Sequence, residues 1–439
     1  MYGILFIHVI FMEETERAIV FRKRMGVYRF MKKEGNGYFW NSIAGLLNAG
    51  EAVILSMVVT RTNGLADAGI LSMAFAVGNL MMAIGKFGVR SYQATDVDER
   101  FSFSDYFWAR VVTVLFMAAA SFGSLLYNVW GKGYGSRKAT VILAVCFIYV
   151  VESVDDVFWG WYQQIYSLDT GAKLFIIRWC AILGIGIPVL VFWQDLQMAV
   201  ILGAAASVVI SGISNAVVFP KYQQKIGLVK IGAVQRILCQ CFPLFLAAFM
   251  TIYVVNAPKY AIDKYLPEEV QACYGFISMP VFVVELLNGF LYQPSLVQMA
   301  LEWKEQRIDS FCWRIRRQCL LLAGLTGVCL LGARLCGIPV LSAIYGTDLS
   351  GYQLEMLVLL CGGGMLAYAG YFSVLLTIIR EQKTILYGYA AISVLSLVFC
   401  SRIVRLFGVM GAAVFYTFLM GVLAGFFLLL FTVRLKHNF

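Results

Sequence analysis

The sequence predicts an all-α protein that crosses a membrane many times. Of its 439 residues, 61% are hydrophobic and only 14% are charged, and the mean hydropathy is +0.78. Soluble domains carry about 25% charged residues. Apolar runs recur from residue 39 to residue 432, and a helix of about 20 apolar residues crosses about 30 Å of hydrocarbon. The runs are too long, and alternate too little, for a membrane β-barrel.

Twelve apolar runs, separated by charged or turn-forming residues, are predicted to be the spans. They cover residues 39–60, 69–89, 106–128, 139–161, 174–194, 197–219, 238–256, 272–293, 315–337, 354–379, 384–400 and 408–432. The apolar stretch 2–12 is too short to cross a bilayer, and it lacks the pattern of a signal peptide because the basic residues follow it. We expect residues 1–35 to be a cytoplasmic extension, with Met25 or Met31 as alternative starts.

Lysine and arginine set the predicted orientation. With the N-terminus inside, the inner segments hold 23 of these residues and the outer loops hold 8. Cytoplasmic loops carry the excess of positive charge, so both termini are predicted to be cytoplasmic. The net charge of +10 is then explained by topology and by attraction to anionic lipid, and it requires no nucleic-acid partner.

A weak internal repeat predicts two lobes. Val58-Val59-Thr60, Asp67 and Tyr92-Gln93 match Val254-Val255-Asn256, Asp263 and Tyr292-Gln293, with an offset that grows from 196 to 200 residues. Six spans separate the two copies, so both copies cross the membrane in the same direction. We therefore predict two six-helix lobes related by a pseudo-twofold axis, over residues 36–230 and 231–439, with a substrate path between them.

Six short motifs occur in order after residue 35. They are 38–41 (YFWN), 60–64 (TRTNG), 87–93 (FGVRSYQ), 152–164 (ESVDDVFWGWYQQ), 257–263 (APKYAID) and 337–341 (GIPVL). Together they resemble the polysaccharide-flippase (Wzx-like) branch of the multidrug/oligosaccharidyl-lipid/polysaccharide (MOP) exporter superfamily. The resemblance implies a twelve-helix, two-lobe transporter in the cytoplasmic membrane that moves undecaprenyl-pyrophosphate-linked oligosaccharides by alternating access. It also implies that the protein acts together with the polymerase and the glycosyltransferases of cell-surface polysaccharide synthesis.

Glu51 is the candidate ion-coupling residue. It lies twelve residues into the first span, which places it near the middle of the membrane. A charge there costs roughly 2.5 to 3.5 kcal/mol on insertion scales. The functional interpretation is a site for H⁺ or Na⁺, and the structural one is a carboxyl that is protonated or hydrogen-bonded to Asn48 on its own helix.

Three further acids share one face of the fourth span, because Glu152, Asp155 and Asp156 are spaced i, i+3 and i+4. Arg110 and Arg178, in the third and fifth spans, are predicted to lie at a similar depth. We therefore expect these acids and arginines to form ion pairs between helices. The alternative is a direct role of this charge network in moving substrate or ions.

Four cations are candidates for binding a pyrophosphate, which needs forked cationic donors. Lys86 and Arg90 end the second span at the predicted inner mouth, where they could equally be ordinary anchors. Arg61 and Lys259 lie towards the outer side. Arg61 is a cation on the outer side, although lysine and arginine are concentrated on the inner side. Lys259 could pair with nearby acids.

The predicted function is that of a lipid-linked oligosaccharide flippase, and the alternative is a cation-coupled multidrug (MATE-type) exporter. A membrane glycosyltransferase or polymerase is disfavoured because the outer loops are short and both histidines lie in the tails. We therefore expect no enzymatic activity. The cysteines lie mostly in apolar runs without metal-ligand spacing, so we expect no metal and no cofactor beyond the coupling ion.

Overall fold

The computed structural model describes residues 27–96, 100–165, 167–222, 226–292, 295–379 and 381–437. These residues form helices and connecting loops, and no strand occurs among them. The predicted extension therefore lies outside the described residues up to position 26. From Val27 onward the chain is already part of the first helix.

Seven α-helices are described before residue 220. They are α1 (Val27–Thr62), α2 (Leu65–Lys86), α3 (Val89–Thr95), α4 (Phe103–Lys132), α5 (Ser136–Gln164), α6 (Leu168–Phe192) and α7 (Leu196–Val218). A short 3₁₀ turn, Phe219–Tyr222, follows α7. Local sequence sets several of these boundaries. Ser102 and Asp105 form a capping box at the start of α4, and the Asp195 carboxylate accepts from the Met198 N–H at the start of α7.

The second predicted span is interrupted near its end. Phe87 and Gly88 both adopt left-handed conformations, with φ of 45° and 71°, so α2 stops and α3 begins in a new direction. A left-handed residue is strained unless it is glycine. The Phe87 ring stacks on Phe245 at 4.3 Å, and this contact helps to hold the break.

The remaining helices follow residue 230. They are α8 (Ile231–Tyr265), α9 (Glu268–Tyr292), α10 (Leu296–Lys304), α11 (Ile308–Gly332), α12 (Ile338–Tyr345), α13 (Gln353–Ile378) and α14 (Gln382–His437). A π-helical turn, Ala333–Gly337, joins α11 to α12. Inside α14, Gly408 has φ 58° and ψ −139°, so this helix is two helices joined at a kink.

The described chain forms two compact units, one up to residue 249 and one from residue 250. In the first unit α1 packs on α6, α2 on α5, and α7 on α5 and α6. In the second unit α13 packs on α9, α11 and α14. The division falls inside α8, so the lobe boundaries predicted from the sequence stay a prediction.

Twelve described helical segments can cross a membrane. Ten apolar stretches are long enough, and one of them, Lys383–Leu435, has the length of two crossings. The twelfth is α5. It is less apolar than the ten stretches because charged residues lie at both ends of its apolar run.

The helix boundaries correct the register of the internal repeat. The first helix of each half ends at Thr62 and Tyr265, and the second begins at Leu65 and Glu268, so both pairs are 203 residues apart. The predicted match of Asp67 with Asp263 is wrong, because Asp67 lies in the first turn of α2 and Asp263 in the last turn of α8.

Candidate functional site

Glu51 is buried inside the first unit. Its side chain is only 4% exposed, and its chain neighbours Gly50 and Ala52 are half-buried. The Tyr149 hydroxyl of α5 donates to Glu51 Oε1 at 3.4 Å, and the other oxygen, Oε2, has no partner among the described residues. The partner is therefore a phenol on another helix, and not Asn48 of the same helix.

Tyr149 is held in place by a glycine of α2. A Cβ atom at Gly78 would lie 2.5 Å from the Tyr149 ring, so α2 can approach α5 this closely only without a side chain there. One helical turn beyond Tyr149, Glu152 occupies the same side of α5. This packing brings the carboxylate of Glu51 into the field of a larger group of charges.

Glu152 holds two cations at once. Its Oε1 lies 2.8 Å from the Lys86 ammonium at the end of α2, and its Oε2 lies 2.9 Å from Arg178 Nη2 of α6. Arg178 is 1% exposed and Glu152 is 5% exposed. Buried charges need such partners because desolvation is otherwise unfavourable.

Asp155 is bound by three side chains from two other helices. Arg178 Nη1 approaches its Oδ2 at 3.2 Å. From α7, the Asn215 amide donates to Oδ1 at 2.7 Å, and the Ser211 hydroxyl donates to the same oxygen. The carboxylate therefore links α5 to both α6 and α7.

Asp156 pairs with a fully buried arginine of α4. Arg110 Nη2 lies 2.7 Å from Asp156 Oδ2, and Arg110 Nη1 donates to the Gly85 carbonyl in the last turn of α2. The Thr113 hydroxyl donates to the same carbonyl at 2.8 Å. Since the last carbonyls of a helix lack intrahelical donors, Arg110 both neutralises Asp156 and caps α2 beside its break.

Arg90 of α3 completes this group. Its guanidinium lies 4.2 Å from the centre of the Trp159 ring, 3.6 Å from Asp156 and 3.3 Å from the Gln163 side-chain oxygen. Stacking on an indole and pairing with a carboxylate are typical uses of arginine. Arg90 is thus engaged with α5 in this conformation.

We call these eight side chains the charge network. Its four acids and four cations are Glu51, Glu152, Asp155, Asp156, Lys86, Arg90, Arg110 and Arg178. The formal charges balance when Glu51 is ionised. Three of the acids contact an arginine or lysine directly, whereas Glu51 contacts a tyrosine.

The structure does not bring the other two candidate cations into this network. Arg61 is exposed in the last turn of α1. Lys259 belongs to the second unit, where it is 9% exposed in α8. Among the described residues, no ion pair or hydrogen bond is made by the Lys259 side chain.

Four residues of this site were missed from the sequence: Tyr149, Trp159, Ser211 and Asn215. Ser207, Ser211 and Asn215 are spaced by four on an otherwise apolar helix, so they share one face. That polar stripe was the available signal for a buried contact. No comparable signal existed for Tyr149 or Trp159, because aromatic residues are common throughout the chain. In the described residues no cluster of metal-binding side chains occurs.

The fold matches solved transporters over nearly its whole length. An inward-facing multidrug resistance MATE family transporter of the MOP superfamily gives a TM-score of 0.67 at 10% sequence identity, with 90% of this chain and 95% of that chain covered. The eukaryotic MATE transporter AtDTX14 gives 0.60 at 12% identity, with 92% and 96% covered. The Vibrio cholerae MATE transporter VcmN in the bent form gives 0.55 at 12% identity, with 93% and 98% covered.

No protein-family model and no curated protein sequence matches this chain. At these identities the likeness establishes the fold. The predicted fold class is confirmed: this is an all-α, multi-pass membrane protein with the twelve-helix, two-lobe MATE fold. These neighbours are MATE transporters, and not members of the polysaccharide-flippase branch that the sequence motifs resemble.

Proposed function

We propose that this protein is a cation-coupled exporter of the MATE type that works by alternating access. We assign ion coupling to Glu51 and no catalytic chemistry to the chain. The observation that carries the proposal is the environment of Glu51: a carboxylate buried in a membrane helix, beside an ion-pair network, with a tyrosine instead of a cation as its partner. Ionisable residues inside membrane spans are typical of ion pathways.

The contrast with the other acids supports this choice. Glu152, Asp155 and Asp156 lie within 3.2 Å of arginine or lysine nitrogens. Neutralising Asp156, for example, would remove the ion-pair partner of the buried Arg110, which is strongly destabilising. Glu51 can gain or lose a cation without breaking a direct ion pair, so its charge is free to differ between two conformations.

The same contacts weigh against a pyrophosphate site at the inner mouth. Lys86 and Arg90, the two cations predicted there, are held by Glu152 and by Asp156 with Trp159. A pyrophosphate would have to displace carboxylates from them. This favours the multidrug alternative over the flippase that the sequence motifs suggest.

One observation keeps the lipid-linked oligosaccharide flippase as a second candidate. Lys259 is buried in α8 without a partner among the described residues. A buried ammonium attracts a phosphate and repels a cationic drug. In this second function Lys259 contacts the pyrophosphate of a polyprenyl-linked oligosaccharide, and the product feeds cell-surface polysaccharide synthesis.

The orientation that we propose in the membrane follows from the distribution of lysine and arginine along the chain. We place the protein in the cell membrane with both termini cytoplasmic, because lysine and arginine are concentrated in the segments on that side. The end of the first unit where α2 and α5 terminate is therefore called the inner end, and the opposite end the outer end.

Reconstitution into liposomes tests the proposal. An imposed H⁺ or Na⁺ gradient should drive transport of a fluorescent cationic dye, and Glu51→Gln should abolish gradient-driven transport. Asp169→Asn is the matched control, because Asp169 pairs with Lys173 at the surface of the same unit. It should transport like the wild type.

A parallel assay with a fluorescent lipid-linked oligosaccharide separates the two candidates. Lipid movement without dye transport, lost in Lys259→Met and retained in Glu51→Gln, would establish the flippase and overturn the exporter. Transport of neither cargo under either gradient would overturn both.

A further inference from the structure

The segment that leads into α8 exposes a cluster of apolar side chains at the inner end of the first unit. Residues 226–230 are irregular, and α8 begins at Ile231. Four neighbouring side chains are exposed, at 44%, 92%, 48% and 75%, and we call them the linker patch: Ile226, Leu228, Val229 and Ile231. Single exposed apolar residues are common, whereas a contiguous group of them marks an interaction surface.

Two hydrogen bonds fix the depth of this patch. The Gly227 N–H donates to the Ser104 hydroxyl at 2.8 Å, and the Trp108 indole N–H donates to the Gly227 carbonyl at 3.0 Å. Ser104 and Trp108 lie in the first two turns of α4, which is long and apolar enough to cross a membrane from Phe103 onward. Since consecutive Cα atoms are about 3.8 Å apart, Leu228 lies at the level where α4 enters the membrane.

The length of α8 is consistent with this level. Its 35 residues rise about 1.5 Å each, or about 52 Å in total, whereas a bilayer with its headgroups is about 40 to 45 Å thick. The first turn of α8, with Ile231, therefore reaches the inner surface of the membrane. Tryptophan is enriched at this interface, and Trp108 holds the segment there.

The linker patch lies in a basic part of the chain. Four lysine and arginine residues occur within 221–236, and no acid occurs at positions 196–262. The Arg236 guanidinium lies 5.9 Å from the centre of the Phe101 ring, and its Nε donates to the Gly232 carbonyl at 3.1 Å. This cation is therefore held one turn beyond the start of α8. Basic segments beside a membrane helix are attracted to the anionic lipids of the inner leaflet.

Two described acids near the start of α4 have other partners. Asp105 closes the capping box with Ser102, and Asp96 accepts a hydrogen bond from the Tyr106 hydroxyl at 2.7 Å. In the part of the chain that the structure describes, Lys230 and Arg236 form no ion pair. Their charge is therefore not neutralised by direct contact with a described carboxylate.

We infer that the linker patch inserts into the inner leaflet of the membrane, with Lys230 and Arg236 at the phosphates of anionic phospholipids. Apolar side chains beside basic ones are the composition of segments that lie in the membrane interface. Leu228 and Ile231 enter the boundary between headgroups and acyl chains, where their exposed apolar surface is removed from water. A protein partner would first have to displace the lipid that surrounds α4 at this depth.

The inference takes only the orientation from the proposed function. It does not depend on the cargo or on the coupling ion, so an exporter and a flippase would share this membrane anchor. Failure of both transport assays would leave the anchor standing. A linker patch that stays in water would refute the anchor and leave the transport assays to decide the function.

The depth of Leu228 is tested by fluorescence quenching. Leu228→Cys, in a variant lacking the native cysteines, is labelled with the fluorophore NBD and reconstituted in liposomes that contain phosphatidylglycerol. Lipids brominated near the headgroup end of their acyl chains should quench this label strongly, and aqueous iodide should quench it weakly. Glu305→Cys is the control, because Glu305 is 49% exposed in the connection between α10 and α11, and its label should show the reverse.

Two results would overturn the inserted patch. One is quenching by iodide that is as strong at position 228 as at position 305. The other is protection from both quenchers that disappears when the protein is diluted in lipid, because that result would identify a second copy of the chain as the occupant.

The role of anionic lipid is tested by removing a charge. A cation near an anionic membrane surface contributes about 1 kcal/mol, which corresponds to about fivefold in an equilibrium constant. Lys230→Gln should therefore lower the ratio of inserted to free label at position 228 about fivefold in liposomes with phosphatidylglycerol. In liposomes of phosphatidylcholine alone the ratio should not change. The two fluorescence lifetimes of NBD, in lipid and in water, give this ratio.

Lys383→Gln is the matched control, because it removes the same charge from an exposed position at the inner end of α14. It should leave the ratio at position 228 unchanged. An equal fall in both variants, or the same fall in phosphatidylcholine alone, would overturn the assignment of Lys230 to anionic phospholipid. Unchanged midpoints of thermal unfolding show that the variants are folded.

Discussion

Arg110 Nη2 of α4 lies 2.7 Å from Asp156 Oδ2 of α5, and both residues are almost fully buried. The contact ties α4 to α5, and Arg110 also donates to the Gly85 carbonyl of α2. Within the first unit, therefore, the same arginine neutralises an acid and secures the end of a helix that breaks two residues later.

Removing Arg110 should be one of the most destabilising changes in the first unit. Arg110→Met leaves Asp156 with only the more distant Arg90 and uncaps Gly85, and breaking a buried pair costs about 3 to 5 kcal/mol. We expect a large fall in the midpoint of thermal unfolding in detergent. In Arg110→Met/Asp156→Leu the fall should be smaller than the sum of the two single changes.

The surface pair Lys173–Asp169 is the control for this cycle. Its side chains are 41% and 19% exposed, and exposed i, i+4 pairs contribute only about 0.3 to 0.5 kcal/mol. Lys173→Ala and Asp169→Ala should combine almost additively. Additive losses for Arg110 and Asp156 as well would mean that their contact contributes no coupling.

The helices could be predicted from the sequence because each needs about 20 apolar residues, and that signal is local. Interruptions within the helices are harder to predict from the sequence. Span 69–89 was predicted as continuous, yet the chain turns at Phe87 and Gly88, where contacts with α8 support a left-handed phenylalanine. In α14 the two predicted spans 384–400 and 408–432 follow one another without a loop, and the kink at Gly408 separates the two helices.

The candidate site can be predicted only in part from the sequence. The spacing of Glu152, Asp155 and Asp156 on one helix indicated buried ion pairing, because like charges on one face need partners. The identity of the partner of Glu51 depends on how α2, α5 and α1 pack together, since Tyr149 is 98 residues away. A repeat register drawn from a few identical residues also failed, because helix boundaries, and not those identities, define equivalent positions.

Gly78 should control the position of Tyr149. Gly78→Ala puts a Cβ 2.5 Å from the Tyr149 ring, so the ring whose hydroxyl donates to Glu51 must shift, and overpacking of this kind costs about 1 to 3 kcal/mol. We expect gradient-driven dye transport to fall.

Gly45→Ala is the matched control for Gly78. A Cβ at Gly45 meets nothing within 4 Å, and alanine favours helix over glycine by about 1 kcal/mol. This variant should be as stable as the wild type or slightly more stable, with normal transport. Loss of transport in both variants would indicate a general intolerance of the bundle and not a role for Tyr149.

Gly408 should be required for the two-span structure of α14. A residue with a side chain at φ 58° and ψ −139° is strained, at about 1 to 3 kcal/mol, in a region populated almost only by glycine. Nothing lies within 4 Å of the added Cβ, so any loss in Gly408→Ala comes from the backbone and not from a clash. Gly421→Ala, in the regular part of the same helix and equally free of contacts, should leave the thermal midpoint unchanged or raise it.

Because Arg402 and Arg405 are exposed on the stretch before the kink, a cysteine placed there in a variant lacking the native cysteines should react with a membrane-impermeant maleimide from the outside. Labelling from the inside only would show that the chain does not turn back at Gly408 in the predicted orientation.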